Sequence, residues 1–363
     1  MRVVSIVGAR PQFIKAAAVC RVLREQHEEI LVHSGQHYDY EMSEVFFEQL
    51  GIPAPDYNLA VGSGGHGRQT GEMLGMLEEL LLELHPHCVL VYGDTNTTLA
   101  GGLAAVKLGI PVAHVEAGLR SFNRDMPEEI NRVLVDHLSE VLLCPTAVAV
   151  SNLHAEGVSS GVELVGDVML DTARFFQESV DPDEALGRFG VSRGGYYLAT
   201  VHRAATSDNR ERLASVIEAF SVLDRPVIWA VHPRTRKNLN ELGLMAQVEA
   251  SSTIRIVPPL AYMDTVALLG GAHMLLTDSG GMQKEAYFFG VPCVTLREET
   301  EWTETVELGW NRLAGTDTDR ITDAVREAGR PDSRPDVYGD GHAAEAIVEA
   351  LERRFDARGW GIR

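Results

Sequence analysis

Short, continuously apolar runs alternate with longer helical stretches along almost the whole chain. In the first half the runs fall at 3–7, 30–34, 88–92, 111–115, 141–144 and 163–165. In the second they fall at 197–201, 226–231, 254–257, 274–277 and 293–296. An apolar run without alternation predicts a strand covered on both faces, as in a parallel sheet packed between helices. Strand and helix taking turns in this way predicts a doubly wound α/β architecture. The two halves also echo each other. Val89-Leu90-Val91-Tyr92-Gly93-Asp94 leads through a helix rich in Ala and Gly to Gly109-Ile110-Pro111 and a new strand. Met274-Leu275-Leu276-Thr277-Asp278 leads through a helix to Gly290-Val291-Pro292 and another. The echo predicts two Rossmann-like domains, 1–168 and 169–342, facing each other across a cleft, with a hinge near 166–171. The last helix, within 343–363, is expected to pack back on the first domain. Loops after the strand carboxyl ends would then face the cleft, which is the expected site.

Composition keeps this picture and narrows the partners. At 363 residues the chain is long for one domain and comfortable for two. Apolar residues make up 45% and charged residues 23%, an ordinary globular balance. The formal charge of −20 argues against a broad basic surface for nucleic acid or anionic lipid. An anionic substrate would need a local cluster of Arg and Lys. Residues 1–8 enter a buried-strand pattern at once, without the basic and apolar regions of a signal peptide. No apolar run approaches the ~18 residues that a membrane helix needs. Cys20, Cys88, Cys144 and Cys293 are far apart and read as buried free thiols of a cytoplasmic protein, with no support for a zinc site.

Candidate chemistry gathers at the predicted strand ends. Gly8-Ala9-Arg10-Pro11-Gln12-Phe13-Ile14-Lys15 is a strand end followed by a Pro-initiated helix. Exposed amides there, with Arg10 and Lys15, would suit pyrophosphate; an ordinary turn with two solvated cations is the alternative. Asp94 and Glu116 each follow an apolar strand. Asp94 reads equally as a helix N-cap, whereas Glu116 is a poor core residue. Glu128 and Glu129 follow Pro127, where the helix dipole alone could account for them. In the second half, His202-Arg203 and His232-Pro233-Arg234 follow strands and suit a diphosphate leaving group, with a loop-capping His as the competing reading. Thr277-Asp278-Ser279-Gly280-Gly281 at a strand-to-helix junction lets amides approach a phosphate, and Glu285 falls one turn later, within reach of ribose hydroxyls. The absence of Gly-x-Gly-x-x-Gly after the first strand weighs against bound NAD.

Taken in order, these pieces resemble the non-hydrolysing UDP-N-acetylglucosamine 2-epimerases, whose fold is that of GT-B glycosyltransferases. The resemblance runs through Gly8-Ala9-Arg10-Pro11, Ser34-Gly35-Gln36-His37, Gly93-Asp94-Thr95 and His114-Val115-Glu116-Ala117-Gly118-Leu119-Arg120. It continues through Pro127-Glu128-Glu129-Ile130-Asn131-Arg132, His202-Arg203, Thr277-Asp278-Ser279-Gly280-Gly281, Gln283, Glu285-Ala286 and the 312–317 stretch. It implies proton removal at C2, loss of UDP to a glycal-like intermediate, and re-addition with protonation from the other face. On the matching positions it implies Asp94, Glu116, Glu128 and His202 as catalytic. Arg10, Lys15, Ser279, Gly280, Glu285 and Arg312 would hold the nucleotide, with Gly281 and His232 beside them. Two carboxyl groups in one site suit a proton removed from one face and delivered to the other. No carbonyl forms, so no NAD is implied, and no metal is needed if cations and helix termini carry the diphosphate; the resemblance also implies a homodimer.

There are departures. Ala205 and Thr206 stand where the family often has Glu and Asn. Gln36-His37 continues as Tyr38-Asp39-Tyr40-Glu41-Met42, unlike bacterial members that bind a second UDP-sugar as activator, so simple hyperbolic kinetics are expected. Glu301-Trp302-Thr303-Glu304-Thr305 resembles archaeal and some actinobacterial members, and enzymes acting on modified sugars. A GT-B glycosyltransferase would share the UDP site but need an acceptor, and a UDP-sugar sensor would only bind. Turnover of UDP-sugar alone separates both from an epimerase.

Overall fold

The computed structural model describes residues 1–36 and 51–355. Thirteen strands form two sheets among these residues. In the first sheet β1 (Arg2–Val7), β2 (Glu28–His33), β3 (Tyr57–Asn58), β4 (Cys88–Tyr92), β5 (Val112–Val115), β6 (Val141–Cys144) and β7 (Val162–Leu164) lie in the order β3-β2-β1-β4-β5-β6-β7. In the second, β8 (Tyr197–Thr200), β9 (Val227–Ala230), β10 (Ile254–Val257), β11 (Met274–Thr277), β12 (Cys293–Thr295) and β13 (Asn311–Leu313) lie in the order β10-β9-β8-β11-β12-β13. Every pairing is parallel. In both sheets the order reverses beside the first strand, between β1 and β4 and between β8 and β11. The loops leave in opposite directions there, opening a crevice at the strand carboxyl ends.

The unbroken apolar runs follow from burial on two faces. Tyr197 and Ala199 of β8 pack with Trp229, Phe220 and Leu213, while Leu198 points the other way to Ile228, Leu268 and Leu275. All five residues of β4 are buried, with Val89 and Val91 against Met73, Leu77 and Leu81 of helix His66–Leu84. The apolar pattern did not predict β3 or β13. Each is an edge strand of two or three residues carrying polar side chains. An edge strand has one neighbour and needs no continuous apolar run.

The chain divides into two compact units, Met1–Arg174 together with the chain from Asp336, and Phe175–Pro335. Helix Ala343–Phe355 belongs to the first unit and packs on helix Arg10–Gln26. Its Ala344 N–H donates to Asp171 at 2.7 Å. All four thiols are free and buried. Burial pushes Cys88, Cys144 and Cys293 up to about 12, which makes them poor nucleophiles. Among the described residues no helix is long and apolar enough to cross a membrane.

Candidate active site

In the first unit the loop after β1 differs from its sequence reading. Gln12, in the first turn of helix Arg10–Gln26, folds its amide back over the turn. Its Oε1 accepts from Gly8 and Ala9 N–H at 2.8 and 3.0 Å. Its Nε2 donates to the Tyr92 carbonyl at 2.8 Å and to Thr98 Oγ1 at 3.0 Å. The two amides expected to meet a pyrophosphate are therefore already used. The Arg10 side chain lies outside the described residues, as does the 37–42 segment behind the expectation of unactivated kinetics.

Lys15 is also engaged. Its Nζ pairs with Glu116 Oε2, and both side chains are only 8% exposed. Gly93 makes room for the pair, because a Cβ there would come 2.9 Å from Lys15 Nζ and 3.2 Å from Glu116 Oε2. Glu116 itself takes φ +70°. That left-handed conformation is uncommon for a residue with a side chain. Asp94 is not the helix N-cap; Thr95 is, accepting from Thr98 N–H. Asp94 instead pairs with Arg132, and its carbonyl accepts from Asn131 Nδ2 at 2.9 Å. Arg132 Nη1 also donates to the buried Glu129 at 2.8 Å, and Glu129 accepts from Ser121 and Phe122 N–H. Glu129 is thus a structural acid.

Glu128 sits in the first turn of helix Pro127–Leu138. Three and four residues on, Asn131 and Arg132 share its helix face, and both reach Asp94. Since β4 and β5 are neighbours with Tyr92 opposite Val115, Asp94, Glu116 and Glu128 gather at one end of one sheet. Two have cation partners. Glu128 has no hydrogen bond or ion pair among the described residues.

In the second unit Asp278, fully buried after β11, accepts from His202 N–H at 3.1 and 3.0 Å and from Arg203 N–H at 2.9 Å. It also lies 3.4 Å from His202 Nδ1, whose ring is partly exposed. Ser279 opens helix Gly280–Phe288 without a side-chain cap, and its own N–H donates to Thr277 Oγ1. The amides of Gly280 and Gly281 thus stand at a helix N-terminus, with the Arg203 guanidinium 3.9 Å from where a Cβ of Gly280 would be. Glu285 is buried at 4% exposure and accepts from the Tyr262 hydroxyl at 2.9 Å. His232 caps helix Pro233–Glu241, its Nδ1 accepting from Arg234 N–H, and its ring centroid lies 6.0 Å from that of His202. Arg312 is not brought to this group. On β13 it forms an exposed pair with Glu327 at 2.8 Å, in the last turn of helix Thr318–Glu327.

Sequence reasoning did not single out Gln12, Asp278 or Arg132, and named Arg203 only together with His202, as suited to a diphosphate. The only available signal was spacing. Arg132 stands one helical turn after Glu128, and Arg203 directly follows His202.

Two all-parallel doubly wound units, with acids at one switch point and a helix N-terminus beside a cation at the other, define a GT-B-like α/β enzyme. The family model for UDP-N-acetylglucosamine 2-epimerase matches residues 21–352, and the chain belongs to that family of isomerases. It is 50% identical to a UDP-N-acetylglucosamine 2-epimerase homolog of Methanococcus maripaludis, over 97% of this chain and 99% of that one. It is 48% identical to UDP-2,3-diacetamido-2,3-dideoxy-D-glucuronate 2-epimerase of Pseudomonas aeruginosa, over 97% and 100%. The crystal structure of the Methanocaldococcus jannaschii UDP-GlcNAc 2-epimerase, in complex with UDP-GlcNAc and UDP, superposes with a TM-score of 0.91 at 41% identity, covering 97% of this chain and all of that one.

Proposed function

We propose that this chain interconverts UDP-N-acetylglucosamine and UDP-N-acetylmannosamine by a non-hydrolysing route. A carboxylate removes the C2 proton, UDP departs in an anti elimination to a 2-acetamidoglucal, and UDP re-adds as C2 is protonated from the opposite face. The observation that carries this reading is the gathering of Asp94, Glu116 and Glu128 at one sheet end in unlike surroundings, two beside cations and one with no partner among the described residues. Inversion needs two proton carriers that are not interchangeable, one to take and one to give. No carbonyl forms along this path, so it calls for no redox cofactor. In this reading His202 and Arg203 face the departing diphosphate with Ser279, Gly280 and Gly281, and Glu285 meets the ribose. The homodimer expected from the family is part of the same reading and is checked by light scattering.

Turnover of UDP-N-acetylglucosamine in D2O tests the route. The epimerised product should carry deuterium at C2 by mass spectrometry and NMR. Amide variants Asp94→Asn, Glu116→Gln and Glu128→Gln should each lose about 10²–10⁴-fold in rate while still binding UDP. An inverted product without deuterium would overturn proton abstraction at C2.

A second substrate has one observation in its favour. Identity to the Pseudomonas enzyme named for the diacetamido-glucuronate is 48%, between the 50% to the Methanococcus UDP-N-acetylglucosamine 2-epimerase homolog and the 42% to the Methanocaldococcus UDP-N-acetylglucosamine 2-epimerase. The C2 chemistry would be the same, on a sugar bearing a C3 acetamido group and a C6 carboxylate. A product-resolved assay of both UDP-sugars decides between them.

A further inference from the structure

Behind the acid-bearing turns lies a buried pair that the proposed reaction does not use. His114, on β5, and Asp136, on helix Pro127–Leu138, are fully enclosed. His114 Nδ1 lies 2.7 Å from Asp136 Oδ1, and Nε2 lies 2.7 Å from the carbonyl oxygen of Gly93. Asp136 also accepts from Gly118 N–H at 3.3 and 3.1 Å and from Arg120 Nη1 at 2.6 Å. Arg120 is held in turn by Glu156 at 2.7 Å. Burial pushes the Asp136 carboxyl up, but the hydrogen bonds and charges of His114 and Arg120 outweigh it and hold the group below the usual carboxylate range. A carboxylate and a carbonyl can only accept, so both His114 ring nitrogens must carry hydrogen for both contacts to be made.

We infer that His114 and Asp136 are positioning residues that fix both acid-bearing turns at once, His114 as a doubly protonated ring holding the Gly93–Asp94 turn and Asp136 holding the Glu116–Gly118 turn. The Gly93 carbonyl and the Asp94 N–H belong to one peptide plane, so anchoring that oxygen orients the backbone from which Asp94 projects. Gly118 N–H lies two residues past Glu116, whose φ of +70° persists only where the surroundings over-determine it. A buried ion pair adds little stability compared with apolar residues of the same volume. Its geometry here links two loops that come from different strands. The inference rests on the reading that Asp94 and Glu116 manage the C2 proton.

His114→Gln and Asp136→Asn in the full chain test it, with UDP-N-acetylglucosamine in D2O. Misplaced acids should lower kcat about 10- to 100-fold, with C2 deuterium incorporation falling in step. KM and calorimetric UDP affinity should stay at wild-type values. Folded variants with wild-type kcat, or with raised KM and unchanged kcat, would overturn the inference. The wild-type protein gives an independent reading should the variants not fold. With 15N-labelled histidine, the His114 ring, assigned through contacts to its register neighbours Val91 and Leu142, should show two slowly exchanging N–H groups. A ring carrying one hydrogen would overturn it. An unlabelled product from the wild type would instead strike at the reading of the acids themselves.

Discussion

Replacing Lys15 by methionine separates two roles for this cation. The resemblance assigns it to the nucleotide, and the structure pairs it with Glu116 inside the first unit, each side chain 8% exposed. Methionine keeps the length and packing of the stem while removing the charge, so the change isolates the electrostatic loss. Breaking a buried pair by removing one partner costs about 3–5 kcal/mol, because the remaining carboxylate loses its cation. For a unit of this size a loss of about 3 kcal/mol lowers the melting temperature by roughly 6–12 °C. Lys15→Met/Glu116→Gln removes both charges and should recover most of that loss, giving a coupling energy of about 2 kcal/mol in the double-mutant cycle. UDP affinity should hardly move in either variant. Had Lys15 been a diphosphate ligand, the single change would cost about 1.5–3 kcal/mol of binding, at least tenfold in Kd. Thermal denaturation of the four proteins and calorimetric titration with UDP decide it. Unchanged melting together with a tenfold weaker Kd would refute the assignment to Glu116.

Three further outcomes are expected. Burial pushes Asp171 up to about 6, above its ordinary value near 4, although Ala344 N–H favours the charged form. The stabilising contribution of its protonated form is full below about pH 4 and lost as pH rises through 6, so Asp171→Asn should gain at most about 3 kcal/mol at pH 8 and nothing at pH 4 in denaturant titrations. A variant less stable than wild type at pH 8 would contradict this. Arg312→Ala removes only an exposed pair with Glu327 and should leave stability within about 0.5 kcal/mol and UDP affinity unchanged, whereas a tenfold weaker Kd would return Arg312 to the nucleotide. Initial rates should be hyperbolic in the UDP-sugar; sigmoidal rates, or a reverse reaction that stalls without added UDP-N-acetylglucosamine, would show activation.

Strand positions were readable because a strand buried on both faces must be apolar throughout, and the acids stood out because they end such strands. Asp94 and Glu116 needed only that rule. Partners were not readable for a physical reason. Lys15 and Glu116 meet across a separation of 101 residues, and no local pattern distinguishes a cation aimed at a ligand from one aimed at a neighbouring loop. Gln12 looks like any polar residue in a first helical turn until Tyr92 and Thr98 are placed beside it. Arg312 raises the same question. Its motif places it on a strand, but the strand is three residues long at a sheet edge. Its side chain pairs with Glu327 of the helix that follows, a contact no local pattern foretells.

The two switch points treat their first loop in the same way, and this narrows where a diphosphate can bind. In the first unit Gly8 and Ala9 amides are taken by Gln12, which is anchored to the end of β4. In the second, His202 and Arg203 amides are taken by Asp278 at the end of β11. In each sheet a side chain bridges the two strands flanking the crevice and consumes the amides that such a turn would otherwise offer to an anion. The bridges differ in charge. A neutral amide serves in the first unit and a buried acid in the second, and an anion beside Asp278 would meet like charge. The Gly280–Gly281 helix start carries no side-chain cap from Ser279, and where a Cβ of Gly280 would be it has the Arg203 guanidinium at 3.9 Å and, at 3.7 Å, the Glu301 carboxylate, whose charge is offset by its pair with Arg297. A helix N-terminus with the Arg203 guanidinium beside it favours an anion through both dipole and charge. In the proposed reading the diphosphate contact falls to that helix and Arg203, while the Lys15 variants test whether Lys15, paired with Glu116, joins it.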